Sequence, residues 1–277
     1  MPELPEVETI VLELNREIKG KKIKKIKVNL AKMIRGDIKK AEGLVVQKVK
    51  RRAKLIIIEL SGSYNLVIHL KLTGQLFFIP SGELETKTGE RENKFTHVIF
   101  EFDDGSKLLF NDLRQFGFIK ILTTADLEKE LKKENYGPEP LEREFSFGYL
   151  KELFSRRAKS QIKPLLMDQK AIAGIGNIYS DEALFLAKIS PKRRVGEISD
   201  EEIKKLHKAI RKVLKEALRY QGTSVDTYRK TTGEKGNYET RLRVYRKTGQ
   251  PCPGCKGKIV RIKFGARSAH FCPKCQK

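Results

Sequence analysis

The sequence predicts an α+β protein, in which an N-terminal helix and an antiparallel β-sandwich or barrel precede a helical domain and a metal-binding hairpin. Three observations predict it. Apolar residues recur at helical spacing near the start, short β-rich runs fill residues from about 21 to 122, and all four cysteines follow residue 251. Strands grouped before helices, rather than alternating with them, are typical of an α+β arrangement.

The N-terminal half begins with one helix and continues as strands. Val7, Ile10 and Leu14 follow helical spacing, and Gly20 is a fitting end. Turn-forming residues separate the strands that follow, and we assign residues 2–135 to this domain. Seven runs are predicted as strands: KIKKIKVNL, LVVQKV, AKLIIIEL, NLVIHLKLTG, THVIFEF, KLLFND and FGFIKIL.

The rest of the chain is predominantly helical up to the cysteines. Residues 136–144 contain two prolines and a glycine and are typical of a linker. The longest predicted helix begins at Ser199, which can form a capping box with Glu202. Residues 223–241 are polar and form a long loop, which in a compact protein is usually functional or disordered. We therefore predict a helical domain over 145–241, which includes this loop, and a separate segment over 242–277.

The charge of the chain indicates a polyanionic partner. The net charge is +23, from 58 Lys and Arg against 35 Asp and Glu. Self-repulsion of that size disfavours a compact state unless a polyanion binds regularly, so nucleic acid is the leading candidate. No apolar run approaches the roughly 18 residues that a membrane span needs, and the acidic N-terminus does not resemble an export signal. We expect a cytoplasmic protein that does not bind membranes.

The four cysteines predict a zinc site. Cys252, Cys255, Cys272 and Cys275 have the spacing C-x2-C-x16-C-x2-C, which is typical of four-thiolate zinc sites. Four thiolates fill a tetrahedron, so we predict one structural Zn²⁺. The alternative is two disulfides or four free thiols without a role, and it fits poorly in a reducing compartment. Arg267 lies near the tip of the predicted hairpin, where it is either a phosphate clamp or a solvated surface arginine.

The first residues suggest covalent chemistry. We expect removal of Met1, which would expose the secondary amine of Pro2. An α-amino group has a pKa near 8, against about 10.4 for lysine, so more of it is an uncharged nucleophile at neutral pH. Such an amine can form a Schiff base with a sugar aldehyde carbon. Glu3 and Glu6 could act as general acid or base, although acidic residues in a first helical turn usually just complement the helix dipole.

Eight motifs, in order along the whole chain, resemble those of the bacterial formamidopyrimidine-DNA glycosylases. The motifs are PELPEVET at 2–9, RRAK at 51–54, HLKLTG at 69–74, DLRQFG at 112–117, IKPLLMD at 162–168, GIGNIYSDEALF at 174–185, VYRKTGQPC at 244–252 and the terminal cysteine hairpin.

This resemblance implies an N-terminal helix with an antiparallel β-sandwich as the catalytic domain. A helix–two-turn–helix domain and a C-terminal zinc-finger hairpin follow, and DNA lies in a cleft between the two halves. It also implies a monomer that acts on damaged double-stranded DNA at the bacterial nucleoid. The expected activity is removal of oxidised purines by base flipping and Schiff-base attack, followed by β,δ-elimination at the abasic site.

The resemblance also implies the catalytic residues. Pro2 is the nucleophile, Glu3 protonates the sugar and opens its ring, and Glu6 supports proton movement. Lys54 matches a lysine implicated in β-elimination and phosphate contact. Arg267 matches a phosphate-gripping arginine of the zinc finger.

Further matched residues are expected to bind DNA. Leu72, Arg114 and Phe116 match the three side chains that fill the gap left by the flipped nucleotide and hold its partner base. The loop 223–241 corresponds to a segment that folds over the flipped base. Asn177 matches the residue that grips phosphate together with the zinc-finger arginine, and His69, Lys163 and Tyr245 match further DNA contacts.

Three positions depart from the family pattern, and two other functions remain open. Leu72 stands where methionine is common, and leucine keeps the apolar wedge but is less adaptable, which affects how deeply it probes the stack. Leu113 stands where proline is common and Gln115 where arginine is common, and both changes are expected to alter the preference for the opposite base. A related glycosylase for oxidised pyrimidines shares the expected fold and nucleophile. A non-catalytic zinc-ribbon DNA-binding protein would explain the charge and the cysteines but would leave Pro2 and Glu3 without a role.

Overall fold

The computed structural model describes residues 1–82 and 92–277 of the chain. These residues form two compact units. The first unit contains the described part of Met1–Glu134 together with Tyr220–Glu239, and the second contains Asn135–Arg219 with Thr240–Lys277. None of the helices in the described ranges combines the length and the apolar character that a bilayer crossing requires.

The first unit is built from two helices and two β-sheets. The helices of this unit are α1 (Leu4–Glu17) and α2 (Thr124–Glu134). Its strands are β1 (Ile23–Val28), β2 (Ile34–Arg35), β3 (Val46–Arg52), β4 (Leu55–Leu60), β5 (Tyr64–His69), β6 (Gly74–Ile79), β7 (Thr96–Phe102), β8 (Lys107–Asp112) and β9 (Phe118–Thr123). One sheet has the strand order β1-β7-β8-β6 and is antiparallel, and the other has the order β2-β9-β5-β4-β3, in which only the short β2 runs parallel to its neighbour.

The core of the first unit joins α1 to both sheets. Val7, Ile10 and Leu14 of α1 are almost completely buried in one apolar cluster with residues of both sheets, such as Ile56 and Phe100. Alternating side chains of the strands supply the inner faces, as the period of two in a strand requires. The predicted helix and sandwich are therefore confirmed, and the helix that follows the chain start is buried in this core.

The structure adds elements that the sequence patterns did not predict. The run NLVIHLKLTG was predicted as one strand, but β5 ends at His69 and Lys71 adopts a left-handed backbone with φ +50°. Strand β6, which begins at Gly74, was not predicted. Strand β2 has only two residues, too few for a periodic signal. Helix α2 was missed because only Leu127 is buried in it, so it lacks an apolar stripe.

The second unit contains four helices and a hairpin. The predicted capping box is present at the start of the longest helix, where the Glu202 carboxylate accepts from the backbone N–H of Ser199 at 2.9 Å. Gly265 adopts φ +54° between the hairpin strands, as a tight turn requires. The helices are α3 (Phe147–Arg156), α4 (Ile162–Met167), α5 (Asn177–Ala187) and α6 (Asp200–Arg219), and the strands are β10 (Val260–Phe264) and β11 (Arg267–Phe271).

The segment 220–239 lies in the first unit, whereas the sequence analysis placed it in the helical domain. The reason is a set of hydrogen bonds to acidic residues of α1. Glu6 binds Thr223, and Glu13 binds Thr231. The structure thus ties this polar segment to the helix that carries the N-terminal motif.

Candidate functional site

The N-terminal motif is buried at the start of α1. Pro2 is buried and Glu3 is only 2% exposed, so both lie inside the first unit. The Glu6 carboxylate accepts a hydrogen bond from the backbone N–H of Glu3 at 2.8 Å. A carboxylate in this position satisfies a donor that the helix leaves free and complements the positive end of the helix dipole. Local helix chemistry therefore holds Glu6 in place.

The second oxygen of Glu6 binds the segment 220–239. Its Oε1 accepts from the backbone N–H of Thr223 at 2.8 Å. Gly222, with φ +81°, allows this approach, since a Cβ there would lie 2.9 Å from the same oxygen and 3.1 Å from the Tyr228 ring. One carboxylate therefore positions both the chain start and the beginning of this segment.

Two further glutamates of α1 hold the middle of the segment. Glu13 accepts from the backbone N–H of Thr231 at 2.8 Å and from its hydroxyl at 3.0 Å, and Glu17 accepts from the same hydroxyl at 2.9 Å. Burial, reinforced by the charge of Glu13, raises the pKa of Glu17. Tyr228 packs into the core next to α1, and burial together with Glu6 and Glu13 raises the pKa of its phenol.

Lys54 follows a strained turn that is tied to α1. The side chain of Lys54 is buried, and the preceding Ala53 has φ +52°. Arg51 donates to the Glu8 carboxylate at 2.6 Å and to the carbonyl of Ala53 at 3.0 Å. This arginine therefore fixes the turn before Lys54 relative to the helix that carries Pro2.

His69 is held as a neutral imidazole at the end of β5. Its Nδ1 accepts from the backbone N–H of Lys71 at 2.9 Å, so the proton of the neutral ring is assigned to Nε2. Burial lowers the pKa of His69 to about 3, with further contributions from the charges of Lys71, Lys54 and Arg35. The ring can therefore donate one hydrogen bond from Nε2 in a strongly positive environment, which suits a phosphate oxygen.

The three expected gap-filling residues lie on two exposed turns of the first unit. Phe116 is 53% exposed and the neighbouring Leu113 is 54% exposed, which is unusual for large apolar side chains. The guanidinium of Arg114 lies over the Phe116 ring, 5.0 Å from its centroid. Leu72 is half-buried on the other turn. The turns thus present apolar and cationic groups to the outside, as a wedge into stacked bases needs.

Lys163 occupies the interior of the second unit. It is fully buried and forms an ion pair with Asp181, and its Nζ lies 3.4 Å from the carbonyl of Asn177. Asp181 also accepts from the backbone N–H of His270 at 2.9 Å and contacts its Nδ1 at 3.0 Å. In this conformation Lys163 supports the start of α5 and its contact with the zinc hairpin, and a DNA contact stays a prediction.

The other expected DNA contacts of the second unit lie closer to the surface. Asn177 begins α5, and no described residue is a hydrogen-bond partner of its buried Oδ1. Arg267 is exposed on β11, with Nη1 3.9 Å from the sulfur of Met167.

Tyr245 packs edge-on against His270, with the ring centroids 5.0 Å apart. The fully buried Glu182 fixes the turn of Tyr245 by accepting from its backbone N–H at 3.0 Å.

The four cysteines form a site that fits one zinc ion. Their sulfur atoms all lie within 4.8 Å of one another, and the Cys252–Cys275 separation is 3.8 Å. A tetrahedron with Zn–S bonds of about 2.3 Å has sulfur separations of about 3.8 Å. The backbone N–H of Gly257 and the neighbouring thiols lower the pKa of the Cys255 thiol to about 7, whereas Cys255 and burial raise the pKa of the Cys275 thiol. All four positions are filled by protein, so the site is structural.

Several residues that organise these sites were missed by the sequence analysis. All are buried carboxylates, and their common signal is an acid within an apolar run, as in KLLFND and SDEALF. Such a signal indicates a buried acid but does not identify its partners, which lie far away in the sequence. These residues are Glu13, Asp112, Asp181 and Glu182.

Comparisons with known proteins agree with this arrangement. Family models match residues 1–119 as a formamidopyrimidine-DNA glycosylase N-terminal domain, 136–229 as its H2TH domain and 249–277 as a zinc finger found in FPG and IleRS. The formamidopyrimidine-DNA glycosylase of Heliobacterium modesticaldum is 41% identical over 282 residues and is aligned over 100% of both chains.

Solved structures match the chain over its full length. A complex of a Lactococcus lactis FPG mutant with a Fapy-dG-containing DNA has a TM-score of 0.90, 33% identity and 100% coverage of both chains. A structure of MutM in complex with carbocyclic 8-oxo-G-containing DNA has a TM-score of 0.89, 32% identity and 100% coverage of both chains.

Proposed function

This chain belongs to the formamidopyrimidine-DNA glycosylase family, and from that premise we propose that it excises oxidised purines from duplex DNA and then cleaves the abasic site. The substrates are 8-oxoguanine and formamidopyrimidines, and the enzyme acts as a monomer. The observation that carries the proposal is the full-length similarity to a protein solved with Fapy-dG-containing DNA. The buried Pro2–Glu3 start of α1 supports it, because a non-catalytic DNA-binding protein has no use for it.

The reaction begins with eversion of the damaged nucleotide. Removing a base from the stack costs a few kcal/mol, and a side chain that fills the gap offsets part of this cost. Leu72 and Phe116 supply the apolar wedge, and Arg114 donates hydrogen bonds to the orphaned base. Arginine favours a base that offers acceptors, so cytosine is the expected partner.

Covalent chemistry follows at the anomeric carbon. In the processed chain, the Pro2 nitrogen attacks C1′ and the N-glycosidic bond breaks. The damaged base leaves with its bonding electron pair and takes up the proton that the nitrogen loses. Glu3 protonates the ring oxygen, the sugar ring opens, and the nitrogen and C1′ form an iminium. Glu6 keeps the start of α1 in place through its bond to the Glu3 N–H.

Two eliminations then cut the strand. The iminium acidifies the C2′ hydrogen, and loss of that proton expels the 3′ phosphate. A second proton loss expels the 5′ phosphate, and water releases the sugar from Pro2. Lys54 assists the eliminations. His69, Asn177, Arg267 and Tyr245 bind phosphates, and Lys163 acts on DNA through Asn177, whose carbonyl it contacts.

Borohydride trapping tests this chemistry. Reduction of the iminium should link the protein covalently to an 8-oxoguanine duplex, and Pro2→Gly should sharply weaken this adduct. Pro5→Gly is the matched control, because the same substitution three residues later leaves the amine intact. Absence of an adduct with the unsubstituted, processed chain would favour the non-catalytic alternative.

A second assay separates the purine from the pyrimidine enzyme. Release of 8-oxoguanine and of thymine glycol is compared on otherwise identical duplexes under single-turnover conditions. We expect 8-oxoguanine to be released faster, since Arg114 and Phe116 match the purine enzymes. Faster release of thymine glycol would reverse the assignment.

A further inference from the structure

One buried carboxylate connects the two turns that carry the exposed wedge. Asp112 is the last residue of β8, and it pairs with Gly74, the first residue of β6. The two turns, residues 70–73 and 113–117, therefore lie at the same end of two paired strands, because the first turn precedes β6 and the second follows β8. Asp112 is completely buried, and it makes no salt bridge within the described part of the chain. Its charge must therefore be compensated by neutral donors.

These donors come from both turns. Oδ1 of Asp112 accepts from the Thr73 hydroxyl at 2.5 Å and from the backbone N–H of Arg114 at 3.2 Å, and Oδ2 accepts from the backbone N–H of Gly117 at 2.7 Å. Thr73 closes the network, because its hydroxyl oxygen also accepts from the Arg114 N–H at 2.9 Å. Movement of either turn would leave a buried carboxylate with too few donors, which is costly.

The backbone of the second turn is shaped for this contact. A Cβ at Gly117 would lie 3.0 Å from Oδ2 of Asp112, 2.8 Å from the Phe110 ring and 3.1 Å from the carbonyl of His69. Gln115 has a left-handed backbone with φ +57°, which is strained for a residue with a side chain. The hydrogen bonds that Asp112 accepts from the N–H groups of Arg114 and Gly117, on either side of Gln115, maintain this strained conformation.

Each expected wedge residue is adjacent to one of the donors or is itself a donor. Leu72 precedes Thr73, Phe116 precedes Gly117, and Arg114 donates its own N–H. We propose that Asp112 is a positioning residue that sets the three wedge side chains relative to one another before DNA binds. The inference rests on the proposed function for what the wedge does, but the coupling of the two turns does not depend on it.

Thr73→Val is the informative substitution, because Asp112→Asn or Asp112→Ala would leave buried donors without an acceptor and disturb folding itself. It removes only the hydroxyl, at nearly the same volume, whereas Thr73→Ser keeps the hydroxyl. Thr123→Val is the matched control. The Thr123 hydroxyl also donates to a carboxylate, Asp126 at 2.7 Å, and also accepts from a backbone N–H, at 3.1 Å, but at the start of α2.

The first readout needs no enzymatic activity. The chain has no tryptophan, so Phe116→Trp places a single reporter on the second turn. We expect Thr73→Val to raise the rate constant for acrylamide quenching of this tryptophan about twofold. It should also shorten the decay time of the tryptophan fluorescence anisotropy, because a loosened turn moves more freely. Thr73→Ser and Thr123→Val should leave both unchanged. Unchanged quenching in folded Thr73→Val protein would overturn the proposal, whether or not the chain excises any base.

The second readout tests the consequence for the reaction. With Phe116 retained, Thr73→Val should slow single-turnover excision of a paired 8-oxoguanine at least about tenfold, since a misplacement of about 1 Å can cost a hundredfold. Borohydride trapping at a preformed abasic site, where no damaged base must be displaced from the stack, should change less than about twofold by the same reasoning. Equal losses on both substrates would overturn the positioning role. Loss of all activity in the unsubstituted chain would instead contradict the proposed function.

Discussion

The Glu6 carboxylate accepts a hydrogen bond from the backbone N–H of Thr223 at 2.8 Å, across 217 residues of sequence. The other oxygen of the same carboxylate binds the Glu3 N–H at 2.8 Å. The start of α1 and the polar segment 220–239 are therefore held by one group. A substitution that displaces the start of α1 should therefore also displace the segment 220–239, and the reverse should hold as well.

Gly222→Ala should destabilise the first unit more than a comparable glycine substitution elsewhere. The new Cβ would lie 2.9 Å from Oε1 of Glu6 and 3.1 Å from the Tyr228 ring. Gly43→Ala is the control, because Gly43 has nearly the same φ, +82° against +81°, with no atom within 4 Å of the added Cβ. The difference in the free energy of unfolding should be about 1–3 kcal/mol, the usual cost of overpacking.

Urea unfolding of the two variants measures this difference. Equal losses would mean that only the backbone conformation matters at Gly222. In that case the contact between Glu6 and the segment would not be as tight as the structure indicates.

Lys163→Met should strongly destabilise the second unit. It would leave the Asp181 carboxylate fully buried without its cation, and breaking a buried pair in this way costs about 3–5 kcal/mol. Lys151→Met is the matched control, because the Lys151–Asp200 pair is more than half exposed and such pairs are worth about 0–1 kcal/mol. Thermal and urea unfolding give both values.

DNA affinity, measured on the same two variants, decides how Lys163 acts. A variant that keeps its stability but loses DNA affinity would favour direct phosphate contact by Lys163. We expect the opposite, a loss of stability with any loss of affinity following from it.

His69 should make the stability of the first unit depend on pH. The pKa of His69 is lowered to about 3 in the folded chain, whereas in the unfolded chain it keeps its ordinary value of 6.5. Between these two pH values the unfolded chain therefore binds a proton at His69 that the folded chain does not bind. The contribution of neutral His69 to the free energy of unfolding is fully present above pH 6.5 and is lost as the pH falls towards 3. Between pH 7 and pH 5, this residue alone should account for about 2 kcal/mol.

His69→Gln tests this linkage, because glutamine does not titrate. The loss of unfolding free energy from pH 7 to pH 5 should be smaller in His69→Gln than in the unsubstituted chain by that amount. An identical pH dependence in both proteins would show that folding does not lower the pKa of His69. The salt concentration must be held constant, since nearby lysines contribute to the shift.

Removal of zinc should weaken DNA binding by unfolding the hairpin that carries Arg267. The four thiolates join two turns that hold little apolar core, and structural zinc sites of this kind depend on the metal for folding. Cys255→Ser or a strong chelator should remove one zinc per chain and lower DNA affinity, and readdition of zinc after chelation should restore it. Metal analysis and fluorescence anisotropy of labelled DNA measure the two effects.

Arg267→Ala is the control for this experiment. It should retain one zinc per chain and the melting temperature, yet weaken DNA binding through the loss of a phosphate contact. Full DNA affinity after complete zinc removal would contradict the structural role of the site.

Local patterns in the sequence determined much of the architecture. The apolar spacing from Val7 to Leu14 predicted α1, alternating runs predicted most strands of the sandwich, and the cysteine spacing predicted the zinc site. These signals are readable because each depends on residues close together in the chain. The expected wedge and nucleophile residues were also identified from local motifs, and their roles stay predictions.

Only the tertiary structure decided which distant groups compensate the buried charges. The sequence shows that the chain has Glu6, Asp112 and Lys163. It does not show that these residues bind Thr223, Gly117 and Asp181, respectively. A buried charge must find donors or a counter-ion wherever the folded backbone brings them, and that choice depends on sheet pairing and helix packing rather than on neighbours in the chain. For the same reason the segment 220–239 joined α1, although it follows the helical domain in sequence.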